Sequence, residues 1–180
     1  MKTKIIIKGK IMDIKLQELL DKKACEEIVH RYGRTQDWLD TPGQDSCFWP
    51  DAEIDFGFFK GNGADWVETV MVHEAEAERR WHLCTSVLIE VDGDKATGEC
   101  YGIAVGSQRS EDGSLTDSMY GGRYLDEFER RDGEWRISKR TYILDWSKKF
   151  SNALEDMTPD DFSLNILNIS EAGHPMYRPL

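Results

Sequence analysis

Three residues of this chain have the chemistry to move a proton near neutral pH: His82, Asp37 and Tyr32. An imidazole serves as a general base when a carboxylate holds its second nitrogen, fixing the tautomer and stabilising the imidazolium once it forms. Asp37 is the candidate partner, at the end of the helix-like stretch "RYGRTQD". Tyr32, five residues earlier, adds a hydroxyl donor. The neighbouring Asp40 and Asp45 fall in the loop-like "DTPGQD", where solvation accounts for them. His82 begins a strand-like run, on the face it shares with Cys84 and Ser86. A histidine on an inward face is more often a hydrogen-bonded core residue than a catalyst, and residue types alone do not bring the three groups together.

Other chemistry is poorly represented. The chain has no phosphate-binding G-x-x-x-x-G-K, no G-x-G-x-x-G, no G-x-S-x-G and no H-E-x-x-H. His30, His73 and His174 have no metal-ligand spacing, and polar helical surroundings explain the first two. Cys25, Cys47, Cys84 and Cys100 form no C-x-x-C pair and read as small buried hydrophobes. The net charge of −11 over 180 residues argues against a duplex nucleic-acid partner, which needs clustered Lys and Arg, and disfavours binding to an anionic membrane by charge. With no span-length apolar run and no secretory leader pattern in "MKTKIIIKGKIM", the expected location is cytoplasmic.

The elements that must position these groups are legible in outline. Residues 13–40 read as a helix from Leu16, Leu19, Leu20, Ala24, Ile28, Val29, Tyr32 and Leu39, weakened at Gly33 and stopped by Pro42 and Gly43. "CFWPDAEIDFGFFKG" reads as one strand or a short hairpin entered after Pro50, and residues 64–80 as a second helix. Asp-Gly pairs at 92–93, 112–113 and 132–133 predict hairpin turns between four strands, about 81–91, 95–108, 117–130 and 134–146. In the second of these, Ala96, Gly98, Cys100, Gly102, Ala104 and Gly106 share one face, which suits close helix packing or pocket volume. In the first, Trp81, Leu83, Thr85, Val87, Ile89 and Val91 share one face and His82, Cys84, Ser86, Leu88 and Glu90 the other. With both faces partly apolar, one side is expected to cover the helices and the other to meet another subunit. Residues 1–12 are expected as a disordered tail, 13–147 as the domain, and 148–180 as a lid or subunit contact with a short helix capped by Thr158. Helices followed by a curved antiparallel meander define an α+β domain with one open mouth.

The order of "YGRTQD", "FWPDAEIDFG", "FKGNGADW", "RRWHLCTSVLIEVDGDKATGE" and "YLDEFERRDGEWRISKRTYI" resembles the SnoaL-like branch of the nuclear transport factor 2-like superfamily over roughly residues 15–147. The nearest flavour is that of hexachlorocyclohexane dehydrochlorinase, scytalone dehydratase and bile-acid dehydratase. The resemblance implies a cone-shaped α+β barrel, N-terminal helices packed in a curved mostly antiparallel sheet, forming a homodimer or homotrimer with no metal or organic cofactor. It implies a His-Asp dyad that removes a proton from carbon, placed on His82 and Asp37, with a pocket tyrosine on Tyr32. Ala104 and Leu144 stand where the bile-acid enzymes carry a further aspartate and an arginine, so that substrate is not implied. The resulting expectation is a lyase of dehydratase or dehydrohalogenase type acting on a small hydrophobic molecule, with Trp38, Phe56, Phe58, Cys84 and Trp146 lining its cavity. A polyketide cyclase or ketosteroid-isomerase-like enzyme is the alternative on the same site; a non-catalytic ligand binder or dioxygenase small subunit is the alternative outside it.

Overall fold

The computed structural model describes residues 2–151, 169 and 171–178. The short helix expected at Thr158 lies outside the described residues. Helix α1 (Lys2–Asp37) is followed by a one-turn helix α2 (Thr41–Asp45), strands β1 (Phe48–Asp55) and β2 (Lys60–Gly61), and helix α3 (Gly63–Glu76). Four long strands then follow: β3 (Arg79–Asp92), β4 (Lys95–Arg109), β5 (Leu115–Arg131) and β6 (Glu134–Ser151). They form one curved sheet in the order β2-β1-β6-β5-β4-β3, antiparallel except where β1 runs parallel to β6. The cone-shaped α+β architecture is therefore present, with the helices on the concave side.

The turn chemistry accounts for the meander. Asp132 and Gly133 both have positive φ between the paired residues Arg131 and Glu134, the backbone of a type I′ hairpin. At the first hairpin Gly93 alone has positive φ, and Gly93-Asp94 occupy the bend between Asp92 and Lys95. The middle connection is wider, with residues 110–114 between Arg109 and Leu115.

Helix α1 is unbroken through Gly33, and residues 2–12 extend it ahead of the expected start at 13. Its apolar stripe meets the sheet only from Asp21 onward: Cys25, Ile28, Val29 and Tyr32 are buried, whereas Leu16, Leu19 and Leu20 stand exposed. Gly33 lets the helix lie close on β3, because a Cβ there would sit 3.1 Å from Cβ of His82. Helix α3 buries Trp66, Val67, Val70 and Met71 against the same core, with Asn62 capping it through Asp65 N–H. Asp40, expected as a solvated helix end, instead caps α2 by accepting from Gly43 N–H at 3.1 Å.

Among the β-bulges, two change which of the expected side chains face inward. In β3 the register shifts between Thr85 and Leu88, around Ser86 at φ +52°. Trp81 and Leu83 therefore point out, while Val87, Ile89 and Val91 pack on the core. The single alternating face expected for this strand is thus split, since one extra residue reverses the parity beyond it. In β6 an extra residue stands opposite the step from Gly121 to Gly122 of β5, which places Trp146 against Gly121 on the outer side. The convex face exposes Trp81, Leu83, Tyr101, Ile143 and Trp146.

Candidate active site

His82 is fastened to Asp37 twice. Its ring Nδ1 lies 2.8 Å from Asp37 Oδ1, and its backbone N–H donates to Oδ2 at 3.1 Å. The carboxylate comes from the last turn of α1, the imidazole from the start of β3, and Gly33 sets how closely those elements approach. A carboxylate accepting at Nδ1 selects the tautomer that carries the proton there and leaves Nε2 as the basic nitrogen. Nε2 lies on the side of Glu74, whose Oε1 is 3.7 Å away. Both side chains are largely buried, His82 at 8% and Glu74 at 13% exposure.

Burial, the largest single influence, pulls His82 down. The Asp37 hydrogen bond and the charges of Glu74, Asp37 and Cys84 outweigh it, so the net shift from 6.5 is upward.

A cavity of about 460 Å³ opens beside this pair. Its walls include Tyr32, Phe56, Phe58, Trp66, Tyr124 and Tyr142, while His82, Glu74, Gln36, Gln108 and Ser118 supply polar atoms. Phe56 stacks on Trp66 at 4.0 Å between ring centroids and on Tyr142 at 5.3 Å. Tyr32 is fully packed: its ring meets Tyr124 edge-on and carries the Arg140 guanidinium 4.1 Å from its centroid. Arg140 is itself buried and bound bidentately by Asp126 at 2.7 and 2.6 Å. Burial pushes the Tyr32 phenol upward, against the opposing charge of Arg140, so it is a neutral donor at physiological pH.

Of the eight expected site residues, the fold brings His82, Tyr32, Phe56 and Phe58 to the cavity wall and places Asp37 behind His82. The other three lie elsewhere. Trp38 follows the end of α1 and packs on His174 and Tyr177. Cys84 is covered by α1, whose Gly33 would place a Cβ 3.5 Å from its sulfur. Trp146 is on the convex face because of the β6 bulge. The small-residue face of β4 serves both purposes considered for it. Gly102 lies under Tyr124 and Gly98 under Ile89 and Phe128, whereas Ala104 and Gly106 leave open volume.

Glu74, Tyr124 and Tyr142 are wall residues that the pattern did not single out. Strand alternation could have found the tyrosines; Glu74 lies in an acidic, solvent-like helix end that carried no such signal. Among the described residues no group of three or more His, Cys, Asp or Glu could hold a metal ion. No helix among them is long and apolar enough to cross a membrane.

This fold and pocket define a class, and the sequence falls within it: residues 17–141 match the SnoaL-like domain, and the chain belongs to that family. No curated protein matches it. Among solved structures it is similar to the hexachlorocyclohexane dehydrochlorinase LinA-type3 from Novosphingobium barchaimii, at 22% identity and TM-score 0.65 over 76% of this chain and 94% of that one. A candidate scytalone dehydratase from Novosphingobium aromaticivorans gives 19% identity and TM-score 0.65 over 74% and 90%. A single-residue variant of the Rv3472 protein of Mycobacterium tuberculosis, of unknown function, gives 29% identity and TM-score 0.58 over 74% and 75%. The nuclear transport factor 2-like architecture expected from the sequence is thus the one observed.

Proposed function

We propose that this chain is a cofactor-independent lyase that eliminates a leaving group from a small, hydrophobic, cyclic molecule. The observation that carries the reading is the Asp37–His82 pair, at 2.8 Å, beside an aromatic cavity. Neutral His82 takes a proton through Nε2 from a carbon made acidic by an adjacent carbonyl. Asp37 holds the ring and stabilises the imidazolium, while Tyr32 donates to the carbonyl oxygen as negative charge develops on it. The cavity size falls within the range of about 300–1,000 Å³ common for small-molecule sites. Ala104 and Leu144 line it, which suits an uncharged substrate rather than one bearing a carboxylate. The dehydrochlorinase and dehydratase identities of the similar structures support elimination over the other proton transfers at carbon that such a site allows.

The same reading assigns the exposed apolar convex face to self-association as a homodimer or homotrimer, testable by sedimentation of the purified protein.

The chemical test is a panel of cyclic β-hydroxy ketones incubated with the protein in deuterated water. Wild type should exchange the hydrogen beside the carbonyl and form the enone. His82→Ala and Asp37→Asn should each lose about 10²–10⁴-fold of that rate. Full turnover by both variants would overturn the dyad.

A further inference from the structure

His82 has two carboxylate neighbours, and the mechanism above uses one. Glu74 faces its other nitrogen at 3.7 Å from the last turn of α3, and it lines the cavity. Its second oxygen is 3.9 Å from Nε of Arg80, beyond hydrogen-bond reach. That guanidinium is engaged with carbonyls: Nε donates to the backbone oxygen of Glu74 at 2.7 Å, Nη1 to Ile169 at 2.8 Å, and Nη2 to Ala77. Arg80 therefore clamps the end of α3 and stands as an ion-pair neighbour of one carboxylate oxygen, while the other oxygen faces the imidazole. The other titratable groups around the ring are Asp37 on α1 and Cys84 on β3, and Tyr32 on α1 senses the Glu74 charge.

Resting on the lyase reading, we propose that Glu74 is the general acid of this site: it protonates a leaving hydroxyl while His82 removes the carbon proton. The two side chains face each other across 3.7 Å and can share one proton, carried by either the imidazole or the carboxyl group. An uncharged substrate that expels water favours the uncharged arrangement, imidazole beside carboxylic acid, because separated charges lose solvation in an apolar cavity. In the reaction the C–H bond breaks, its proton forms Nε2–H, and its electron pair becomes the new C=C bond. The C–O bond breaks, and the oxygen takes the Glu74 proton and leaves as water. The product state is an imidazolium facing a carboxylate, and return of the proton to Glu74 restores the active pair, so the cycle consumes no net proton. The substrate class follows: a β-hydroxy carbonyl compound, whose leaving group must be protonated, rather than a halide, which needs no acid.

The test compares 3-hydroxycyclohexanone with 3-(4-nitrophenoxy)cyclohexanone, whose leaving group departs without a proton. Glu74→Gln should raise the preference for the aryloxy ketone over the hydroxy ketone by about 10²-fold or more, the size of a lost general acid. His82→Ala should depress both. An unchanged preference in Glu74→Gln overturns Glu74 as the acid and leaves the dyad intact, whereas full rates in His82→Ala overturn the dyad itself. The pH profile is a second readout. The shared-proton pair loses activity on the hydroxy ketone as pH rises through the His82 titration, while a lone histidine base gains it. Ring-nitrogen NMR supplies a third, independent of turnover: the His82 midpoint should fall in Glu74→Gln, and an unmoved midpoint overturns the pairing.

Discussion

The two ends of the cavity are built on different principles. The dyad end is fixed by directional bonds: one carboxylate takes both the backbone and the ring N–H of His82, and Gly33 brings helix and strand together at that point. The aromatic end, around Phe56, Trp66 and Tyr142, is held by stacked rings next to the β1–β2 turn, with Phe58 fully at the surface. Stacking tolerates changes of shape that a hydrogen-bonded pair does not. On the proposed reading, the chemistry belongs to a rigid corner and substrate choice to a wall that can vary.

Substitutions can break this contrast in order of expected effect. Loss of the imidazole or of the Asp37 charge comes first, on the scale given for the exchange assay. Next is Gly33→Val, which forces α1 away from His82; a displacement of about 1 Å costs on the order of 10²-fold in rate, with the cavity rings unchanged. Rate loss without a matching change in ring-ligand affinity would support the division. Phe56→Ala should do the reverse. Loss of two stacked pairs, each worth about 0.5–1.5 kcal/mol, should weaken substrate binding and lower stability while sparing the exchange step at saturation. Smallest of all is Phe58→Ser, expected within about 0.5 kcal/mol of wild type in stability because the side chain is 79% exposed, but altering which ring sizes are accepted.

The same corner predicts a pH dependence of stability. His82 titrates above its ordinary 6.5 in the folded state. Its contribution is therefore fully present below 6.5 and is lost as pH rises through the higher folded-state value. Denaturant midpoints of wild type should fall across that window relative to His82→Ala, and a parallel pair of curves would contradict the assigned shift.

The hairpins were readable because positive-φ turns are carried by adjacent residues: Asp132-Gly133 and Gly93 need no knowledge of the rest of the chain. Asp37 and His82 were readable as candidates because their types and flanking motifs are local and belong to a recognisable family. The positions of Trp146 and of Val87, Ile89 and Val91 were not readable. Each lies beyond a bulge, and a single unpaired residue reverses every later side chain without leaving a mark in the alternation pattern. Trp38 was misplaced for a related reason, since the chain turns at Leu39 (φ +54°) and the 174–177 segment covers the indole.

By itself, then, the sequence determined the α+β meander, the inward histidine and the carboxylate at the helix end, because turns, periodicity and residue type act over a few neighbours. Only the tertiary structure decided that the two meet at 2.8 Å, and that a second carboxylate from α3 stands across Nε2. Those distances depend on how α1 and α3 seat in a curved sheet. That seating is set by a glycine contact, an arginine clamp and two bulges, each joining residues that do not neighbour one another in the chain.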